Sequence, residues 1–236
     1  MIPRINIHTQ PDDESCGPTS LHAVYQHFGD DISLQQVIKE TKKILGGGTI
    51  AAHLANHALQ RKYKATLYIY NLDMFDPTWF SNNIDPTLLF TKLHEQLKYK
   101  RSPKFEEATN AYLRFLDLGG TIQFKDLTTK LLRHYFERNI PIITGLSATY
   151  LYNCSRELTL EDGNTYYDDV KGNPAGHFVV LCGYSETRRT IVVADPHRAN
   201  PLSQDNYYRV PRSRLINSIM LGILTYDATL LIIEPK

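Results

Sequence analysis

The chain has 236 residues, of which 42% are hydrophobic, 11% aromatic and 22% charged, enough apolar material for a sizeable core and too much for disorder. Its 26 Lys and Arg stand against 25 Asp and Glu, so the formal net charge of +1 lacks the basic excess that counterion-releasing contacts need, and nucleic acid is not expected as a partner. The start, Met1-Ile2-Pro3-Arg4-Ile5-Asn6-Ile7-His8, has no basic segment followed by an apolar run, and no stretch approaches the roughly 20 apolar residues that span a bilayer; a soluble cytoplasmic protein is expected.

In chain order, Gly17 to Phe28 places Leu21, Val24 and Phe28 at helical spacing, with Pro18 in the first turn and Gly29 at the end, and predicts an amphipathic helix. Ser33-Leu34-Gln35-Gln36 reads as a capping box opening a second helix to about Ile44. Gly46-Gly47-Gly48-Thr49 separates it from a third, Ile50 to about Tyr63, and a strand is predicted over 65–72. Asp85 to Arg101, Ser102 to Leu118 and Lys125 to Arg138 read as further helices. From Ile140 the pattern turns β-branched and aromatic, predicting strands over 140–152, 177–183, 190–195, 206–210 and 228–234 with one short helix near 212–220. Asn71 to Asn83 and Arg156 to Gly176 read as irregular; the second carries the turn signals Asp162-Gly163-Asn164 and Gly172-Asn173-Pro174 and is either a hairpin flap beside a site or a solvated excursion. Helices first and antiparallel strands later predict an α+β fold, and no Pro/Gly/Ser-rich linker divides 1–236 into two domains.

The three cysteines, Cys16, Cys154 and Cys182, cannot all pair within one chain, and each reads as a thiol. Gln10-Pro11-Asp12-Asp13-Glu14-Ser15-Cys16-Gly17-Pro18 places Cys16 where a helix begins, and free backbone N–H groups with the positive end of the helix dipole suit a thiolate there. Gly17 is expected to let a substrate approach. Cys182 lies inside an apolar strand on the face opposite His177, and Cys154 follows Tyr150-Leu151-Tyr152; both read as core thiols.

A thiolate nucleophile needs a base and a group to orient it. Gly176-His177-Phe178-Val179-Val180-Leu181-Cys182-Gly183 and Thr190-Ile191-Val192-Val193-Ala194-Asp195-Pro196 read as paired strands, and a turn symmetric about Glu186 sets His177 directly opposite Asp195, where the carboxylate can hold the imidazole. The Gln10 amide can donate to the oxyanion formed when a thiolate attacks a carbonyl. His53 and His57 share one helix face, half of a metal-ligand pattern that nothing completes, and the Gly46 to Thr49 turn lacks the Lys and spacing of a phosphate loop; no metal and no cofactor are expected.

Gln10 six positions before a Cys16-Gly17 that opens a helix, the distant Gly-His-Phe-Val-Val strand and the Asp-Pro after the next strand resemble the papain-like cysteine peptidases that process bacteriocin leaders after a double glycine. The resemblance covers the first 30 residues and roughly 175–197; with no ABC exporter in the sequence, a stand-alone member is expected. It implies one papain-like domain over 1–236, N-terminal helices on a C-terminal antiparallel sheet, with a helical insertion around 65–140. It also implies Cys16 as nucleophile, His177 as general base and acid, Asp195 as orienting residue and Gln10 as oxyanion donor beside the Cys16 backbone N–H. The expected function is hydrolysis of a peptide or amide bond in a peptide or protein substrate through an acyl-enzyme. The alternatives are acyl or peptidyl transfer from the same site and a noncatalytic peptide-binding module. Nothing in the sequence sets an oligomeric state.

Overall fold

A computed structural model describes residues 5–44, 47–80, 85–160 and 165–236. Gly46 of the glycine turn, Ser81 to Asn83 of the first irregular stretch and the Asp162-Gly163-Asn164 turn lie outside the described residues. The strands are β1 (Lys64–Ile69), β2 (Thr121–Gln123), β3 (Ile142–Ser147), β4 (Glu157–Thr159), β5 (Thr165–Tyr167), β6 (Gly176–Ser185), β7 (Thr190–Ala194), β8 (Tyr207–Pro211) and β9 (Thr229–Glu234). Seven of them form one sheet in the order β2-β1-β9-β3-β6-β7-β8, antiparallel except where β1 meets β2, and β4 pairs with β5 in a separate hairpin.

Alternation along the strands sorts the sheet's side chains into two cores. Leu67, Ile69, Phe178, Val180, Cys182, Leu231 and Ile233 pack toward α1 (Cys16–His27), α3 (Ala51–Gln60) and α5 (Pro103–Asp117), beside which lie α2 (Leu34–Glu40) and α4 (Pro86–Gln96). Tyr68, Ile142, Val179, Leu181, Val193, Leu230 and Ile232 pack toward α6 (Thr129–Glu137), α7 (Ala148–Tyr152) and α8 (Arg212–Leu221). Both faces of β3, β6 and β9 are covered, which is why these strands are nearly continuous apolar runs, and each fully buried Leu, Ile or Val contributes about 1.5–3 kcal/mol. Ser33, Asp85, Ser102, Thr128 and Ser147 cap their helices by accepting from the N–H groups of Gln36, Thr87, Phe105, Leu131 and Tyr150, each worth about 1 kcal/mol. Among the described residues no helix is long and apolar enough to cross a membrane.

The fold is the expected α+β class, with local departures. The strand predicted over 140–152 ends at Ser147, whose side chain caps α7; Asn153, in the left-handed region at φ 57°, stops that helix after Tyr152. The second helix stops at Glu40 rather than near Ile44, because Thr41 is extended and turns its hydroxyl onto the Val37 carbonyl. Within 65–140 the chain supplies β1 and the short parallel β2 as well as helices, so this segment extends the sheet on one side. The Arg156 to Gly176 stretch forms the β4–β5 hairpin, and Asn173 bridges back to Glu157.

Candidate active site

Cys16 is the first residue of α1, behind the N-cap Ser15. Asp12 organises the approach: its Oδ1 accepts from the Glu14 N–H at 3.0 Å and from the Ser15 hydroxyl at 2.5 Å. The Ser15 hydroxyl therefore makes no cap bond, and among the described residues no side chain consumes the first-turn N–H groups around the thiol. Gly17 plays a different part from the one expected. It is buried, and a Cβ there would lie 2.6 Å from Thr49 Cγ2, with the Phe178 ring of β6 at 3.4 Å, so its lack of a side chain lets α1 pack against Thr49 beside β6 rather than admitting a substrate. The Ser20 hydroxyl, donating to the Phe178 carbonyl at 3.2 Å, holds the same junction.

His177 is the second residue of β6, at the end of the strand beside this junction. Its Nε2–H donates to Asp195 Oδ1 at 2.8 Å, which leaves Nδ1 outside that bond, and Cys16 lies near enough to favour the charged ring. Burial disfavours the charged imidazole, but the Asp195 carboxylate, with Cys16, outweighs it and holds the His177 pKa well above the ordinary histidine range.

Asp195 is fully buried and fully satisfied. Oδ1 also accepts from the His197 N–H at 2.8 Å, and Oδ2 accepts from the Tyr152 and Tyr208 hydroxyls, each at 2.6 Å. Burial pushes the carboxyl upward; the His177 charge and these hydrogen bonds overcome it and leave the pKa below the usual aspartate value. Asn206 Nδ2 anchors the Asp195 carbonyl at 2.7 Å. Tyr152 and Tyr208 were not anticipated from the sequence. For Tyr208 a signal existed in β8, where Tyr208 and Val210 alternate inward between exposed neighbours; Tyr152 carried none, because its segment reads as strand.

The strand register corrects the one expected. Near the turn β6 and β7 pair Ser185 with Thr190, Tyr184 with Ile191 and Gly183 with Val192; beyond a bulge between Leu181 and Gly183 they pair Leu181 with Val193 and Val180 with Ala194. The turn is closed by the Arg189 N–H on the Glu186 carbonyl, with Arg189 at φ 50°, so it centres past Glu186. Continued by one residue, the ladder sets Asp195 opposite Val179 rather than His177.

Gln10 ties the loop before α1 to the segment after β7, its N–H donating to the Pro196 carbonyl at 2.9 Å. Its side-chain Nε2 gives one proton to the Asp12 carbonyl at 2.8 Å and keeps the second. Gln10 and His177 line one cleft of about 260 Å³ together with Asp13, Tyr152, Glu157, Tyr166, Tyr167 and others, so the β4–β5 hairpin is a flap beside these residues and not a detached surface excursion.

Of the other thiols, Cys182 is a core thiol as expected, whereas Cys154 is only half-buried and packs against the edge of the second core. Cys182 is buried, points into the core on the α1 side, and burial pushes its thiol up to about 12; burial and the nearby Glu157 also raise Cys154. His57 spends both ring nitrogens, on the Tyr25 hydroxyl at 2.8 Å and on Glu40 at 3.1 Å. Burial and then Lys42 press His53 down to about 4. Among the described residues no three His, Cys, Asp or Glu side chains converge as metal ligands.

The profile described as the Peptidase_C39 like family matches residues 2–218. No curated protein matches the chain. Solved structures similar to it include a C39-like peptidase from Bacillus anthracis, 14% identical, covering 99% of this chain and 96% of that one at a TM-score of 0.49. A double glycine motif protease from an AMS/PCAT transporter, in complex with the leader peptide, is 16% identical and covers 100% of this chain and 94% of that one at 0.45. Xylellain, a cysteine protease from Xylella fastidiosa, is 12% identical and covers 99% and 84% at 0.45.

Proposed function

The chain belongs to the C39-like peptidase family, and from that membership we propose that it is a cysteine peptidase hydrolysing a peptide or amide bond through an acyl-enzyme. In this reading Cys16 is the nucleophile, His177 the general base and acid, Asp195 the residue that orients and charges His177, and Gln10 the oxyanion donor. One observation carries it: the His177 ring bonds a buried carboxylate at 2.8 Å and lies within electrostatic reach of the thiol that opens α1. The whole chain, 1–236, acts as one peptidase domain, and its three unpaired thiols support a cytoplasmic location.

The chemistry follows from these contacts. The imidazolium that Asp195 stabilises is the counter-charge of a Cys16 thiolate, which attacks the scissile carbonyl carbon. The resulting oxyanion accepts from the Cys16 backbone N–H and from the second Nε2 proton of Gln10; one such donor is worth about 2.7–4 kcal/mol in the transition state. Collapse of the tetrahedral intermediate breaks the C–N bond as His177 delivers its proton to the leaving amine. Water, deprotonated by the now neutral His177, then attacks the thioester, releasing the carboxylic acid and restoring the thiol–imidazole pair.

The test is a peptide-library digestion read by mass spectrometry with the wild-type chain and Cys16→Ala. New termini that require Cys16, together with a thioester-linked adduct trapped on Cys16 by acid quenching, support the mechanism. Cleavage that survives Cys16→Ala overturns it.

A further inference from the structure

We infer that the cleft between His177 and the β4–β5 hairpin receives a positively charged group of the substrate, a Lys or Arg side chain or a free ammonium, next to the bond that is cut. This rests on the peptidase reading above and adds the substrate's charge to it.

The lining of the cleft points to a cation. Two carboxylates, Asp13 and Glu157, border it, and neither pairs with a Lys or Arg among the described residues. Glu157 is half-buried, and its side chain accepts no hydrogen bond among the described residues. Burial first and the Asp13 charge second raise its carboxyl above the usual range, with His177 opposing, which marks an anion lacking compensation. Three tyrosine rings line the same space: Tyr152 from α7, and Tyr166 and Tyr167 on the hairpin, 53% and 63% exposed. Carboxylates flanked by tyrosine faces are the surroundings in which a guanidinium or ammonium is held by charge and by the ring quadrupole together.

The cations nearby do not fill this role. Arg156 is turned away, donating to the Asp169 and Val170 carbonyls, and Arg198 lines an adjoining cleft instead. The histidines of the cleft do not compensate the carboxylates either. The His177 charge favours the Glu157 carboxylate but does not offset its burial and the Asp13 charge, and burial and the His177 charge press His197 toward its neutral form. Ala148 and Ala175 present only small side chains to the cleft, leaving room for an extended one.

The experiment compares peptides that differ at one position in turn by Arg or citrulline, which has nearly the same shape without the charge. Binding to the Cys16→Ala chain is read by fluorescence anisotropy, and hydrolysis by the wild-type chain is read separately. At one position Arg is expected to bind about tenfold more tightly than citrulline, the scale of a partly buried charged hydrogen bond. Glu157→Gln should cut that ratio to within about twofold, and Asp13→Asn should lower it less, since Asp13 is exposed. Equal binding of the two series at every position, or binding of neither, overturns the inference. Hydrolysis without discrimination overturns it and leaves the peptidase reading intact. Arg-dependent binding with no hydrolysis by the wild-type chain keeps the cation cleft and overturns the peptidase reading.

Discussion

Asp195 meets His177 from a diagonal position across the β6–β7 ladder, and the bulge at Cys182 puts the two side chains on one face. Carried on from the turn without the bulge, the register would set Asp195 opposite Val180, whose side chain points toward α1, and the carboxylate would face away from the imidazole. The extra residue in β6 restores the parity. Diagonal neighbours on a sheet are about 7–8 Å apart at Cα, a gap an imidazole and a carboxylate close together. Tyr152 and Tyr208 then pin the far carboxylate oxygen, so Asp195 has one orientation in which all its acceptors are used.

The first prediction concerns pH. The His177 pKa is raised in the folded chain, so its imidazolium is present below that pKa and is lost as pH rises through it. Asp195→Ala removes the main support while burial remains. The alkaline limb of the kcat/KM profile should therefore move to lower pH, with a smaller loss at the optimum than Cys16→Ala causes. A limb that stays in place would separate Asp195 from the His177 titration.

Thiol reactivity gives the second. Burial pushes Cys182 up to about 12 and raises Cys154, whereas Cys16 faces the His177 ring at a helix start. Iodoacetamide at mildly acidic pH should modify Cys16 first, roughly tenfold faster or more by mass spectrometry, and His177→Ala should slow it. Faster alkylation of either other cysteine would refute the assignment.

Gln10→Ala should lower kcat by on the order of 10²–10³ with little change in KM, because an oxyanion donor acts when negative charge develops. Because Gln10 also bonds the Asp12 carbonyl, the unfolding midpoint must be measured alongside. A raised KM with unchanged kcat would make Gln10 a substrate-binding residue instead.

Asp227 supplies a stability prediction. Its carboxyl is buried, and burial outweighs Thr225, Lys104 and His177 to push it up to about 7. Its Oδ2 lies where a Cβ on Gly176 would be, so only glycine fits before His177. A folded pKa raised above the unfolded one adds stability that is complete below the unfolded value near 3.8 and is lost as pH rises to about 7. Asp227→Asn removes that dependence. Relative to wild type, its unfolding free energy should rise between pH 4 and pH 7, by up to about 4 kcal/mol, and level off above. Parallel curves for the two proteins in urea denaturation would refute the burial account.

Helix starts were readable because a cap joins residues three or fewer positions apart, as Ser33 does with Gln36 and Ser102 with Phe105. The β6 and β7 strands were readable because their apolar runs are continuous. The helix α7 was not, since Tyr150-Leu151-Tyr152 carries strand propensity and only the Ser147 cap and the left-handed Asn153 turn it helical. The Asp195 network joins side chains far apart in the chain: Tyr152 is 43 positions from it, and no local pattern relates them.

Short-range patterns identify the groups available for chemistry: a thiol at a helix start, a histidine at the start of an apolar strand, an aspartate at the end of the next, and a glutamine ahead of the thiol. These depend on periodicity, caps and turn residues, which act between near neighbours. The register that brings Asp195 to His177, the role of Gly17 in packing, and the meeting of Asp13, Glu157 and three tyrosines around one cleft arise from long-range packing. A single bulged residue shifts a ladder by one position at little local cost, while the packing of both sheet faces against helices selects which register survives. That selection sums contacts over the whole fold and has no signature in any short stretch of chain.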